Sequence, residues 1–251
     1  MSERKLRIAS AFGRQAASYD RAATVQAIVA ARLAQRIMAR QPPPVPGLLE
    51  IGCGTGLLST HLARAFPRDP LLLTDISPAM LAQCRLRLGE HHAYQLLDGE
   101  HPEGVEQKFG LIASSLAVQW FTDLGSGLQQ LGHLLAPAGR LHFATLGCDT
   151  FQEWRAICGA DAIYHGTHAY PAAAAMPWPA GFACDWAEER IIQHHASGTA
   201  FLRSLKNIGA AEPASGFRAR APGSFRRLLA GLQDGFSVTY HIIYGEIRRP
   251  G

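Results

Sequence analysis

Apolar and polar positions along this chain repeat with two periods. Between residues 47 and 146, apolar runs at 48–51, 71–75, 93–97, 109–115 and 140–146 alternate with stretches whose apolar residues recur every three or four positions. That alternation predicts a parallel sheet with helices on both faces and a ligand at the strands' carboxyl ends, an α/β doubly wound fold. Leu58, Leu62 and Phe66 stand at i, i+4 and i+8, the stripe of a helix lying on a sheet. Ser77 followed by Pro78 opens the next helix with a cap and a proline at its first position. Leu124 to Leu135 predicts another, stopped by Pro137 and Gly139, and the alternating, aromatic run from Phe236 to Ile247 reads as a terminal strand. Upstream, Val25, Ile28, Val29, Leu33 and Ile37 make a helical stripe, so residues 1–41 are expected as a helical lid over the cleft. The prolines between Gln41 and Gly47 form a stiff connector into the main domain, 42–251. From 147 to 198 the regularity lapses. Phe151 to Tyr164 predicts a helix, Tyr170 to Pro179 is rich in alanine and proline, and the whole stretch is expected to be an inserted cap. Thr199 to Ile208 predicts a short basic helix with Arg203 and Lys206 on one face.

Composition adds bounds. The 251 residues are 47% hydrophobic and 18% charged, enough for one large core, and no apolar run reaches membrane-spanning length. Five scattered cysteines without a C-x-x-C pair indicate neither a disulfide framework nor a zinc site, which fits a reducing cytoplasm. His165-x-x-His168 and His194-His195 lack an acid or cysteine to complete a ligand set, so no metal is expected. The net charge of +4 divides unevenly: residues 1–40 carry eight Lys/Arg against two acids, 199–251 eight against three, and the middle eight against fifteen. Basic ends around an acidic centre would steer an acidic macromolecule, for which nucleic acid and an acidic carrier protein both qualify.

The chemistry concentrates at Glu50-x-Gly52-x-Gly54-x-Gly56, where a strand runs into a glycine loop and then a helix. Glycines at alternate positions let the backbone turn sharply and approach a ligand closely. A dinucleotide fold would place its third glycine or alanine where Leu57 stands, and Glu50 suits a cationic ligand better than a pyrophosphate. Asp75 ends the next strand, 19 residues beyond Gly56, where a carboxylate can accept both ribose hydroxyls of a nucleoside. Asp98-Gly99 ends the third strand, and Ser115 to Trp120 ends the fourth, facing the cleft. Tyr19, in the pattern Phe12-Gly13-x-x-Ala16-x-x-Tyr19-Asp20, is expected to point into the cleft and donate a hydrogen bond.

The glycine loop resembles motif I of class I S-adenosylmethionine (SAM) methyltransferases. With Ala11-Phe12-Gly13, Tyr19-Asp20, Gln26, Ser115 to Trp120, Ser204 to Ala210 and Thr239-Tyr240-His241, the chain is similar over nearly its whole length to the malonyl-[acyl-carrier protein] O-methyltransferases of biotin synthesis. The resemblance implies a seven-stranded, mostly parallel Rossmann-like sheet and SAM as cofactor, leaving as S-adenosylhomocysteine. The reaction it implies is methylation of the free carboxylate of a malonyl thioester on an acidic carrier protein, by a cytoplasmic enzyme expected to be a monomer that binds neither nucleic acid nor membrane. The cofactor residues expected are Glu50, Gly52, Gly54, Gly56, Asp75, Ile76, Asp98, Gly99 and Ser115, with Asp98 taking the adenine amino group. Tyr19, Gln119, Trp120, Arg203 and Lys206 would meet the substrate, Tyr19 as the catalytic residue. Methylation of a small carboxylate or a quinone ring, and SAM binding without catalysis, stay open as alternatives.

Overall fold

A computed structural model describes residues 2–40, 47–159, 166–214 and 216–251. The proline connector at 41–46, the far end of the helix expected over 151–164, and His165 lie outside the described residues. Seven strands form one sheet in the order β3-β2-β1-β4-β5-β7-β6. They are β1 (Leu48–Ile51), β2 (Leu71–Asp75), β3 (Ala93–Leu96), β4 (Phe109–Ser115), β5 (Leu135–Leu146), β6 (Ala183–His195) and β7 (Phe236–Arg248). The first five run parallel, β7 is antiparallel to β5, and β6 is antiparallel to β7. Strand order reverses between β1 and β4, which opens a crevice at their carboxyl ends.

Successive residues of a strand point to opposite faces, and both faces are covered. Leu48 and Leu111 pack with Val29, Leu33 and Ile37 of α3 (Thr24–Ala39) and with Leu58 and Leu62 of α4 (Leu57–Ala65). Their neighbours Leu49 and Ile112 pack on the other face, with Leu128 and Leu131 of α6 (Leu124–His133). Two-sided burial is why these strands read as unbroken apolar runs. In chain order the remaining helices are α1 (Glu3–Gln15), α2 (Tyr19–Ala22), α5 (Pro78–Leu88), α7 (Gln152–Cys158), α8 (Gly198–Asn207) and α9 (Pro222–Ala230). Ser77 caps α5 by position only: its side chain makes no capping bond.

Two expectations are corrected. Pro137 and Gly139 do not merely end a helix. They lie inside β5, which begins at Leu135 and absorbs them in a shift of register opposite Phe109 and Leu111. The expected cap, 147–198, contains β6, which pairs with β7 along its whole length as the sheet's outer edge. Its side chains alternate between exposed and half-buried, so no apolar run announces it.

Candidate functional site

The crevice is built around the glycine loop. Gly52, Gly54 and Gly56 have φ of +69°, +55° and +90°, a region in which only glycine is unstrained. The loop is pinned from below, where Cys53 N donates to the Thr74 carbonyl at 2.8 Å and Thr74 Oγ1 donates to the Glu50 carbonyl at 2.7 Å. Asp75 stands beside it and accepts from Gly54 N at 2.9 Å and Ser77 N at 2.7 Å. From the lid, Asp20 accepts from Thr55 Oγ1 at 2.6 Å and pairs with Arg87 of α5. The Tyr19-Asp20 pair of the sequence thus fastens α2 to the glycine loop.

Two cavities meet here. The inner one encloses about 940 Å³, open mouth included. Glu50, Gly52, Gly54, Asp75, Ile76, Asp98, Gly99 and Ser115 line it, together with Tyr19. Gly56 does not: it is the left-handed N-cap of α4, where both its φ and the 3.1 Å approach a Cβ would make to Cys84 Sγ call for glycine. The outer chamber, about 1280 Å³ with its mouth, is mostly apolar, walled by Phe151, Trp154, Tyr170, Leu202, Leu205 and Phe225 among others. Phe12, Tyr19, Gln26, Leu116 and Trp120 line both cavities and form the partition, with the Phe12 and Trp120 rings edge to face at 5.5 Å. Leu116 holds this position at φ +51°, a strained conformation for a branched residue, steadied by Gln119 Nε2 donating to its carbonyl at 2.7 Å.

Gln119 and Trp120 line the outer chamber as expected of substrate residues, whereas Arg203 and Lys206 do not. They project from the exposed face of α8, and Leu202 and Leu205 turn inward in their place. The cation lining the chamber, among the described residues, is Arg220, whose Nη2 donates to the Cys158 carbonyl. Nothing local in the sequence marked it. Sequence reasoning also missed Lys5, which reaches the inner cavity from α1, whereas Leu116 and Ala117, whose backbone path shapes the partition, lie in the stretch expected to face the cleft.

Electrostatics divide the acids of the inner cavity. Glu50 is 1% exposed, burial drives its carboxyl well up despite the Ser59 hydroxyl beside it, and Oε2 has no hydrogen-bond partner. An orphaned buried oxygen on a cavity wall fits a cationic ligand group. Burial also pushes Asp75 up to about 6, against the backbone N–H groups of Ser77 and Gly54 that favour its charged form. A ligand whose hydroxyls need the Asp75 carboxylate should therefore bind about tenfold more weakly per pH unit below about 6, and independently of this group above it, in calorimetric titrations from pH 5 to 8. Tyr19 is driven upward by burial and by the nearby charge of Asp75, so its phenol stays protonated and donates. Outside the crevice, Cys148, Asp149 and His241 converge, but Asp149 is already held by Arg190 at 2.5 Å.

A glycine loop at positive φ, an acid closing the second strand and a crevice at the switch point define a nucleoside-type site. A family described as "Methyltransferase domain" matches residues 49–141 across all of these parts. The fold and site are those of a class I, SAM-dependent methyltransferase. The chain is 43% identical to a malonyl-[acyl-carrier protein] O-methyltransferase of Magnetococcus marinus, covering 97% of this chain and 92% of that one. It is 41% identical to the biotin biosynthesis bifunctional protein BioCD of Bordetella avium, covering 97% of this chain and 52% of that longer one. The fold is shared with N-methyltransferase NodS of Bradyrhizobium japonicum, solved with S-adenosylhomocysteine, at a TM-score of 0.52 and 16% identity over 88% of this chain and 86% of that one. The chain belongs to the malonyl-[acyl-carrier protein] O-methyltransferase family.

Proposed function

We propose that this enzyme methylates the free carboxylate of a malonyl group carried on acyl carrier protein, giving the methyl ester that primes pimeloyl and biotin synthesis. The observation that carries the reading is the pair of cavities meeting at Tyr19. One holds the Glu50, Asp75 and Asp98 carboxyls on its walls; the other, lined mostly by aromatic and aliphatic side chains, is the roomier of the two. SAM, when bound, would supply an electrophilic methyl group on its sulfonium sulfur, with S-adenosylhomocysteine as the leaving group. Glu50, Asp75 and Asp98 would hold it by its cationic group, ribose and adenine. At neutral pH the attacking carboxylate is already ionised, so the chain needs no general base. Its task is alignment, and residues that position should outnumber those that move protons. Tyr19, a permanent donor on the partition, can tether one carboxylate oxygen and leave the other to attack. In place of Arg203 and Lys206, Arg220 is the cation that lines the chamber among the described residues, held on the Cys158 carbonyl. Gln119 Oε1, buried and unpartnered while Nε2 is spent on Leu116, offers an acceptor for an amide N–H of the arm.

Outside the chamber, Arg203, Lys206, Arg218, Arg226 and Arg227 are exposed on the elements that wall it, and none of the ion pairs among the described residues includes them. They form the face on which an acidic carrier would dock. Five free cysteines, and no helix among the described residues long and apolar enough to cross a membrane, accord with a reducing cytoplasm.

Mass spectrometry of malonyl-carrier protein and malonyl-CoA, each incubated with the enzyme and SAM, tests the reading. The carrier substrate should gain one methyl group and be the better substrate at low salt. Charge reversal at Arg203, Arg226 and Arg227 together should raise its KM about tenfold or more, with flattened salt dependence, and leave malonyl-CoA untouched. Equal turnover of both substrates by the unaltered enzyme would remove the docking face from the argument. No methyl gain on either, with SAM bound, would favour a small-acid substrate or a non-catalytic role.

A further inference from the structure

The basic helix α1 presents one apolar stripe to the inner cavity, Lys5, Ile8 and Phe12 at i, i+3 and i+7. Its first member is a lysine only 5% exposed. An ammonium that deep is tolerated only where its hydrogen bonds are all satisfied by charge. Here Nζ donates to Asp98 Oδ1 at 2.7 Å and Oδ2 at 2.6 Å and is paired with Glu100 Oε2 at 2.6 Å, so three carboxylate oxygens surround it. Glu100 is itself fixed, accepting from Thr122 N at 2.9 Å and Asp123 N at 2.8 Å. Asp98 borders the inner cavity beside Leu97, Gly99 and Phe121. Arg4, one residue before Lys5, donates to the Trp120 carbonyl at 3.1 Å and ties the same helix to the partition.

We propose that Lys5 is a positioning residue of the cofactor site, orienting the Asp98 carboxylate as the acceptor for the adenine amino group and so making closure of α1 part of cofactor recognition. The inference rests on the assignment of Asp98 to adenine. Two carboxylates two residues apart repel, and without the ammonium between them Asp98 keeps only the Glu100 N–H, 3.1 Å from Oδ1, against that repulsion. With it, both oxygens are held in one orientation at the cavity wall.

S-adenosylhomocysteine and S-inosylhomocysteine, which carries a carbonyl in place of the 6-amino group, separate this role from simple lid support. Both are titrated into the wild-type enzyme, Lys5→Met and Lys5→Arg. The wild type should prefer the adenosyl ligand by about tenfold or more, as expected for a charge-assisted hydrogen bond. Lys5→Met should lose that preference to within about threefold, through weaker adenosyl binding, and Lys5→Arg should fall between, because a planar fork cannot reproduce a three-oxygen seat. A wild type indifferent to the two ligands would remove the Asp98 assignment and the inference with it. A discriminating wild type with an unchanged ratio in Lys5→Met, even if both affinities drop together, would overturn the Lys5 role alone. If Lys5→Met shows no cooperative melting transition, Lys5→Arg decides: a wild-type ratio there overturns the proposal.

Discussion

Gly52→Ala should abolish measurable SAM binding, an expected loss of about a hundredfold or more in affinity, while leaving a folded protein. Two independent strains meet at this position. Its φ of +69° carries a penalty of about 1 kcal/mol for any residue with a Cβ. The added Cβ would also lie 2.3 Å from the Ala117 Cβ, far inside contact distance, where overpacking costs about 1–3 kcal/mol. Gly52 is the floor of the inner cavity, and Ala117 follows Leu116 on the partition. The strain would therefore be relieved by moving apart the two backbone segments that shape the site. The double variant Gly52→Ala/Ala117→Gly separates the two causes. It removes the collision but not the dihedral penalty, so it should recover most of the thermal stability and part of the affinity. Isothermal titration with S-adenosylhomocysteine and a melting curve check both variants. Wild-type affinity in Gly52→Ala, or no recovery in the double variant, would show that the contact does not govern the site.

The loop was legible because its constraint is local: a glycine at positive φ leaves a mark in the sequence wherever it falls. The sheet was legible for a related reason, since strands buried on both faces appear as apolar runs. Other parts left no local mark. Lys5 sits on a helix rich in arginine, and its partners are 93 and 95 residues further along the chain, so its burial is decided by tertiary structure alone. Strand β6 carries Asp185, Glu188, Glu189 and Arg190 because an edge strand is wetted on much of its surface, and the same composition reads as irregular loop. Arg203 and Lys206 stand outside the chamber for a different reason. Leu202 and Leu205 share their i, i+3 spacing one position earlier, and an amphipathic helix turns its leucines, not its cations, toward an apolar chamber. Gly56 was assigned to the ligand by its place in the motif, and its φ of +90° and its neighbours Cys84 and Arg87 give it a structural reason to be glycine as well.

Glu50→Gln should weaken SAM binding by about a hundredfold and, at the same time, stabilise the unliganded protein at neutral and higher pH. The folded carboxyl titrates well above its ordinary value of 4.5 because burial disfavours the charge. Its sign follows from linkage. A carboxyl whose folded pKa lies above its unfolded one holds its proton more tightly in the folded chain, so it does not destabilise below the unfolded value. It destabilises progressively as pH rises between the two, by about 1.4 kcal/mol per pH unit. Gln is always neutral and escapes that penalty. Unliganded Glu50→Gln should thus melt with the wild type near pH 4.5, and a gap in favour of the variant should open as pH rises above that. The cationic cofactor reverses the balance, because a positive group beside the orphaned Oε2 draws the proton off and forms a buried charge pair, whose loss costs about 2–5 kcal/mol. The proton a bound cation would draw off Glu50 is distinct from any lost by Asp75, which titrates near 6 and is ionised well above that. Calorimetry in two buffers of different ionisation enthalpy should detect that proton with the wild type and not with Glu50→Gln. Identical proton release from both proteins would place the titrating group elsewhere. A variant that binds SAM as tightly as the wild type would show that the acid before the glycine loop is not what selects a cationic cofactor.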